Sequence, residues 1–223
     1  MSKPRQENHE FAVIGLGRFG RSVALNLLER GHSVLGIDRS EAIVQSLADR
    51  ISRVVALDST NEEALKQVGI TEFGTVVVAI GTQFEANLMT TVALKNLGIE
   101  NVICKALNER QQYILLRVGA DHVVLPEYDS GARLAWQIAE PHVLEHLNLG
   151  YGFSVAEIEV PKNLLGRSLM QTNIRKKYGI NVVAIKRNGT LLVPPPPDTI
   201  LTFGDELLII GADKNISSFC HEH

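Results

Sequence analysis

The segment Phe11-Ala12-Val13-Ile14-Gly15-Leu16-Gly17-Arg18-Phe19-Gly20 constrains this chain more than any other. An apolar run passes into a G-x-G-x-x-G turn and then into a helical pattern beginning near Arg21. Each glycine has a mechanical task in such a turn. Gly15 lets the chain leave the strand sharply, Gly17 lets a pyrophosphate approach the backbone, and Gly20 lets the helix pack tightly on the sheet. The helix N-terminus directs free N–H groups and partial positive charge at the phosphates. A second strand, Val34–Asp38, ends in an acid eighteen positions after Gly20. Dinucleotide folds place there the carboxylate that accepts from ribose hydroxyls. An acid at this point disfavours a 2′-phosphate, and so NADP.

Short apolar runs alternate with helical patterns as far as about residue 125. The runs are Phe11–Ile14, Ser33–Ile37, Val54–Leu57, Thr75–Ile80, Asn101–Lys105 and His122–Leu125. Between them lie Ser22–Arg30, Glu41–Asp49, Asn61–Val68, Glu85–Leu97 and Arg110–Val118. Alternation of this kind predicts an α/β fold: a doubly wound, Rossmann-like parallel sheet with right-handed crossovers. Gly31, Gly69, Gly98 and Gly119 follow helical patterns as C-terminal caps do, and Asn61 precedes Glu62 and Glu63 as an N-cap does. This nucleotide-binding domain is placed at residues 10–126. Residues 127–149 read as one long crossover helix, with Ala135, Ile138, Ala139, Val143, Leu144 and Leu147 as its apolar stripe and a kink at Pro141. Such a helix, leaving a finished sheet, is expected to cross to a second protomer. Residues 150–223 read as a small α+β domain. It has a strand over Ser154–Val160, a helix over Leu169–Tyr178 and a hairpin turning at Asn188-Gly189. A stiff extended connection follows at Pro194–Pro197, then a strand at Leu207–Ile210 and a helix at Lys214–Phe219.

Composition excludes several function classes. A net charge of -3 gives no basic footprint for nucleic acid or an anionic membrane surface. No apolar stretch approaches the roughly 20 residues of a membrane span, and the first ten residues carry no apolar signal core, so a cytosolic chain is expected. Cys104 and Cys220 lack C-x-x-C spacing, and Cys104 falls in an apolar strand, which predicts a buried free thiol there. No G-x-x-x-x-G-K-[ST] or G-x-S-x-G occurs, and the C-terminal region lacks the His, Lys or Tyr clustering of a hydride-transfer site. His142 and His146, four apart on the expected helix, could form a metal pair, but with no third ligand in view a solvated or interface helix face is the preferred reading.

Arg18 departs from a plain NAD turn. A guanidinium there suits terminal phosphates, with a solvated helix-start arginine as the alternative. Open α/β sheets bind ligands at the carboxyl ends of their strands. That rule adds Arg39 beside Asp38, Asp58-Ser59-Thr60, Ile80-Gly81 and Lys105 to Gly15, Leu16, Gly17, Arg18, Phe19 and Gly20. Glu127 follows the sixth strand. It either holds a divalent cation shared with phosphates or favours a helix N-terminus.

These segments resemble the RCK (regulator of potassium conductance) family, with its TrkA-N and TrkA-C subdomains. The nearest likeness is to the single-unit regulatory subunits of bacterial Ktr potassium transporters. The likeness is carried by the glycine turn, Val77-Val78-Ala79-Ile80-Gly81, Val118-Gly119-Ala120-Asp121, Pro126-Glu127 and Asn173-Ile174-Arg175-Lys176-Lys177-Tyr178-Gly179. The resemblance implies a homodimer assembling into an octameric ring, peripherally attached to a membrane-embedded potassium-translocating subunit, with no chemistry of its own. It implies ATP and ADP competing for the crevice, Arg18 and Lys105 reaching the nucleotide, and Glu127 helping to hold Mg²⁺ or Ca²⁺. It also implies cyclic di-AMP binding to the C-terminal domain at Arg175, Asn181 and Val182. One departure is Leu57-Asp58, where many relatives have Gly-Asp. Two other readings use the same fold: an NAD(H)-responsive regulator of potassium transport, and an NAD-dependent oxidoreductase.

Overall fold

The structure, a computed structural model, describes residues 10–140 and 142–222. The expected kink at Pro141 and the terminal His223 lie outside the described residues. The chain divides after Tyr128 into two compact units.

The first unit is a six-stranded parallel sheet. Its strands are β1 (Glu10–Ile14), β2 (Ser33–Asp38), β3 (Arg53–Ala56), β4 (Thr75–Val78), β5 (Asn101–Lys105) and β6 (His122–Val124), in the order β3-β2-β1-β4-β5-β6. Five helices, α1 (Arg18–Glu29), α2 (Glu41–Leu47), α3 (Glu62–Gln67), α4 (Phe84–Asn96) and α5 (Glu109–Arg117), connect the strands. Strand periodicity sends alternate side chains to opposite faces, and both faces are buried. Ala12, Ile14, Leu35, Ile37, Val76 and Val78 pack against Leu65, Leu94 and Leu115 of α3, α4 and α5. Val13, Val34 and Val77 pack against Ala24 and Leu47 of α1 and α2. Side-chain caps start the helices where the sequence places them: Asn61 accepts from the amides of Glu63 and Ala64, and Asn108 from that of Gln111. Helix α1 begins at Arg18 rather than near Arg21, so the phosphate turn is shorter than the sequence pattern suggests.

The stretch 127–149 is not one helix. Helix α6 covers Pro126–Ala139, and Val143–Gly150 is strand β7. β7 pairs antiparallel with β8 (Phe153–Glu159), bringing His146 opposite Ala156 and Leu147 opposite Val155. Helical spacing in 143–149 is thus overridden by the ladder that a neighbouring strand offers. The second unit is completed by β9 (Asn181–Arg187), β10 (Thr190–Leu192) and β11 (Glu206–Ala212), in the order β10-β9-β11-β8-β7, all antiparallel. The β9–β10 turn is Asn188-Gly189, both with positive φ, as the hairpin motif predicts. The expected helix over Leu169–Tyr178 is broken into α7 (Leu169–Thr172) and α8 (Ile174–Tyr178) by left-handed Asn173. The proline connection bends at Val193-Pro194 and turns at Pro197-Asp198 instead of running straight. Helix α9 (Asp213–His221) closes the unit, burying Ile216 and Phe219 against Ile158, Leu207 and Ile209.

Candidate functional site

Strand order reverses between β1 and β4, and a cleft of about 290 Å³ opens there at the carboxyl ends of the strands. That is where an open α/β sheet receives a ligand. Gly15, Gly17, Asp38, Arg39, Asp58, Ser59, Thr60, Ile80 and Gly81, all expected from the sequence, line it. Ile43, Thr82, Gln83 and Ala86 also line it, although the motifs do not single them out.

The three glycines of the turn answer to different constraints. Gly15 has φ +88°, a left-handed conformation that favours glycine. A Cβ on Gly20 would stand 1.9 Å from the Gly15 carbonyl oxygen, so no side chain fits. Gly17 has an ordinary backbone (φ -65°), and a Cβ there would meet nothing within 4 Å. The fold requires Gly15 and Gly20. At Gly17 it leaves open space over the backbone, which a phosphate can enter. The amides of Arg18, Phe19 and Gly20 open helix α1 and have no acceptor within the helix.

Asp38 is fixed by the turn itself. The Leu16 amide donates to Oδ2 at 2.7 Å and the Ser40 amide to Oδ1 at 2.9 Å. Each carboxylate oxygen retains accepting capacity for ribose hydroxyls. Leu16 therefore contributes its backbone, while its side chain is fully buried in the core. Asp58 closes its own turn, accepting from the Thr60 amide at 3.0 Å and the Thr60 hydroxyl at 2.7 Å. These bonds hold its carboxyl below the ordinary carboxylate value, with a smaller contribution from Arg39. Asp58, preceded by Leu57, lies on the crevice with it.

Lys105 ends β5 with its side chain only 9% exposed, and its ammonium donates to Glu127 Oε1 at 2.5 Å. The same ammonium lies 5.7 Å from the centroid of the Phe19 ring. The Lys105 hydrogen bond, with lesser help from Arg18, holds the Glu127 carboxyl below its usual value. Lys105 approaches the crevice at Gly81, where a Cβ would be 3.4 Å from its ammonium. Arg18, Phe19, Gly20, Lys105 and Glu127 are not on the cleft wall defined above; of these, Lys105 reaches its edge at Gly81. Among the described residues no group of three His, Cys, Asp or Glu side chains has metal-holding geometry.

Asn87 of α4 is buried beneath this region and donates to the carbonyls of Ile80 and Lys105. The motifs do not single it out, but helical spacing puts Asn87, Thr90, Thr91 and Leu94 on one face, where three polar residues are the signal. Burial raises the Cys104 thiol to about 11, which makes it an inert core residue. Cys220 is likewise free and buried.

His142 and His146 are not a metal pair on a helix. His142 lies in the turn before β7, and His146, in β7, stacks on Trp136 at 4.2 Å. In the second unit Arg175, Asn181 and Val182 come together along one groove of about 360 Å³, with Pro195 and Pro197 on its wall.

Comparison with known proteins extends over nearly the whole chain. Residues 11–126 match the TrkA-N domain and residues 155–222 the TrkA-C domain. The chain is 42% identical over 210 residues to the Ktr system potassium uptake protein C of Bacillus subtilis (strain 168), covering 94% of this chain and 95% of that protein. The structure of the GsuK channel bound to NAD superposes with a TM-score of 0.53 at 27% identity, covering 96% of this chain and 38% of that one. GsuK bound to ADP gives a TM-score of 0.50 at 26% identity, over 59% of this chain and 34% of that one.

Proposed function

The chain belongs to the TrkA-N and TrkA-C family of RCK regulators of potassium transport, and on that footing we propose that it is a nucleotide-gated regulatory subunit of a Ktr-type potassium transporter. The observation that carries the nucleotide is the line from Asp38 across open Gly17 to Lys105. Asp38 accepts from the adenosine ribose. The phosphates cross Gly17 and meet the first-turn amides of α1. Arg18 and Lys105 then face the terminal phosphates, and only ATP brings a γ-phosphate to Arg18.

Binding is the output, with no catalysis in this subunit. A shift from 1:99 to 99:1 between two ring shapes needs about 5.5 kcal/mol of differential affinity. Glu127 is the carboxylate that would share Mg²⁺ or Ca²⁺ with the phosphates. One copy supplies no cage, so phosphate oxygens and water would have to fill most positions, as Mg²⁺ commonly allows. Cyclic di-AMP is assigned to the Arg175–Asn181–Val182 groove. A ring of copies, cytoplasmic and held to the membrane by its potassium-translocating partner, completes the reading. No helix of the described residues is long and apolar enough to cross a membrane.

Isothermal titration tests the ligand: ATP and ADP should compete for one site. Reconstituted potassium flux tests the output: Arg18→Ala should reduce the difference between ATP and ADP. A second reading, NAD(H) as the ligand, is favoured by the NAD-bound relative and by Asp38, which suits either adenine ribose. NADH binding more tightly than ATP would select it.

A further inference from the structure

Helix α4 carries a polar stripe on the face it turns to the sheet. Asn87, Thr90 and Thr91 are each 1% exposed or less, where a core-facing helix ordinarily presents aliphatic side chains. Asn87 Nδ2 donates to the Ile80 carbonyl at 2.7 Å and to the Lys105 carbonyl at 2.9 Å. Two carbonyls can be met only by the NH₂ end of the amide, so both of its hydrogens are engaged. Thr90 shares a hydrogen bond of 2.8 Å with Ser59, in the loop after β3. The Thr91 hydroxyl donates to the Asn87 carbonyl at 2.8 Å and contacts Cys104 Sγ at 3.2 Å. One helix therefore ties together the ends of β3, β4 and β5. Apolar packing is non-directional, whereas buried hydrogen bonds fix such ends in direction and distance.

We propose that Asn87 is a positioning residue for the nucleotide site, holding Gly81 and Lys105 at a fixed separation so that the Lys105 ammonium meets the phosphates. The inference rests on the crevice being a nucleotide site. Ile80 immediately precedes Gly81, and Asn87 grips the backbone on both sides of the gap between Gly81 and Lys105. The two sides lie close together, since a Cβ on Gly81 would be in ordinary van der Waals contact with the ammonium at 3.4 Å.

Titrating ATP and ADP into the full chain and its Asn87→Leu, Lys105→Met and doubly substituted forms tests this. Leucine keeps the branched shape and the number of heavy atoms and removes both donors. Asn87→Leu should weaken ATP binding about tenfold, the scale of a lost buried hydrogen-bond pair. The double form should bind no more weakly than Lys105→Met alone, because Asn87 acts through Lys105. Hydrogen exchange should quicken at Ala106, whose amide donates to Val124, and stay unchanged at Gly15, whose amide donates to Ile37. Additive losses, wild-type affinity in Asn87→Leu, or a uniform rise in exchange across the first unit would each overturn the proposal. If Asn87→Leu does not fold, Asn87→Ser, whose single short donor cannot span two carbonyls, should show the same non-additivity. Failure of both to fold makes Asn87 a folding residue and also overturns it. A wild-type chain that binds neither ATP, ADP nor NADH removes the nucleotide reading itself, a result recognisable before any variant is made.

Discussion

The two units bury polar groups for different ends. In the first, Ser59, Asn87, Thr90, Thr91 and Lys105 are all buried, and their bonds converge behind one crevice. In the second, buried Asp205 and Ser154 are ties of the fold. Asp205 is clamped by Arg187 and Thr202, and Ser154 donates to Asp213. The groove holding Arg175 and Asn181 is walled by two short helices and a proline segment, and both of those residues are exposed. A site backed by buried bonds is organised before its ligand arrives, whereas an open groove must be ordered by what binds it. Damage to the first unit's polar groups should therefore be read mainly in ligand affinity, and damage to the second's mainly in stability.

Gly20→Val would blur that contrast most, because it strikes fold and ligand together. Its Cβ is placed 1.9 Å from the Gly15 carbonyl, so helix α1 must move off the sheet. The expected cost is about 3 kcal/mol or more, seen in urea unfolding, with nucleotide binding lost.

Asp205→Ala isolates the second unit. Asp205 is 1% exposed and takes two 2.6 Å bonds from Arg187. Removing it should cost about 2–3 kcal/mol, somewhat below a fully buried pair because Arg187 reaches solvent. Nucleotide affinity should stay at the wild-type value; a parallel loss of affinity would refute the separation of the two roles. Burial pushes the Asp205 carboxyl up, but Arg187 and Thr202 outweigh it and hold it below its ordinary value. A depressed carboxyl stabilises above its unfolded pKa, about 3.9, and that contribution is lost as pH falls through the folded value. Wild type should therefore lose more stability than Asp205→Ala below about pH 4.

Lys105→Met makes the opposite test. Methionine fills the space of the lysine stem and leaves Glu127 free in solvent. ATP affinity should fall about tenfold, as for a lost charge-assisted contact, with the urea midpoint unchanged or raised. A lowered midpoint with unchanged affinity would make Lys105 a structural ion pair only.

Much of this contrast can be read from the residues. The first unit's strands alternate with capped helices, and local periods agree with the tertiary fold at each step. The crevice is legible for the same reason, since Gly15, Gly17 and Asp38 belong to one local motif. Ile43, Gln83 and Asn87 are not, because they reach the site from helix starts and faces that only the packed sheet brings near. The stretch 143–149 misleads because Val143, Leu144 and Leu147 suit a helical stripe, while the β8 ladder that decides the matter lies beyond it in sequence. Leu147, counted in that stripe, is 63% exposed in β7. The break at Asn173 follows from its left-handed backbone, which asparagine tolerates and a helical count does not register.

His146 offers the smallest and most local test of the second unit. Its ring is buried against Trp136, with Nε2 lacking a hydrogen-bond partner among the described residues. Burial lowers its pKa, and nearby Asp213 opposes that only in part. The unfolded chain therefore binds a proton more readily than the folded one. Stability contributed by the neutral ring is full above the unfolded value of about 6.5 and declines as pH falls below it. His142 beside Glu159 and His221 beside Glu140 are further histidines of this unit. The difference between wild type and His146→Phe isolates His146, because phenylalanine keeps the stack on Trp136 and cannot take up a proton. Between pH 7.5 and 5.5 the urea midpoint of wild type should fall more than that of His146→Phe. ATP affinity should be equal in the two at both pH values. Equal slopes would mean that His146 leaves its place on Trp136 when protonated at no cost, and the second unit would then be looser around β7 than its buried polar groups imply.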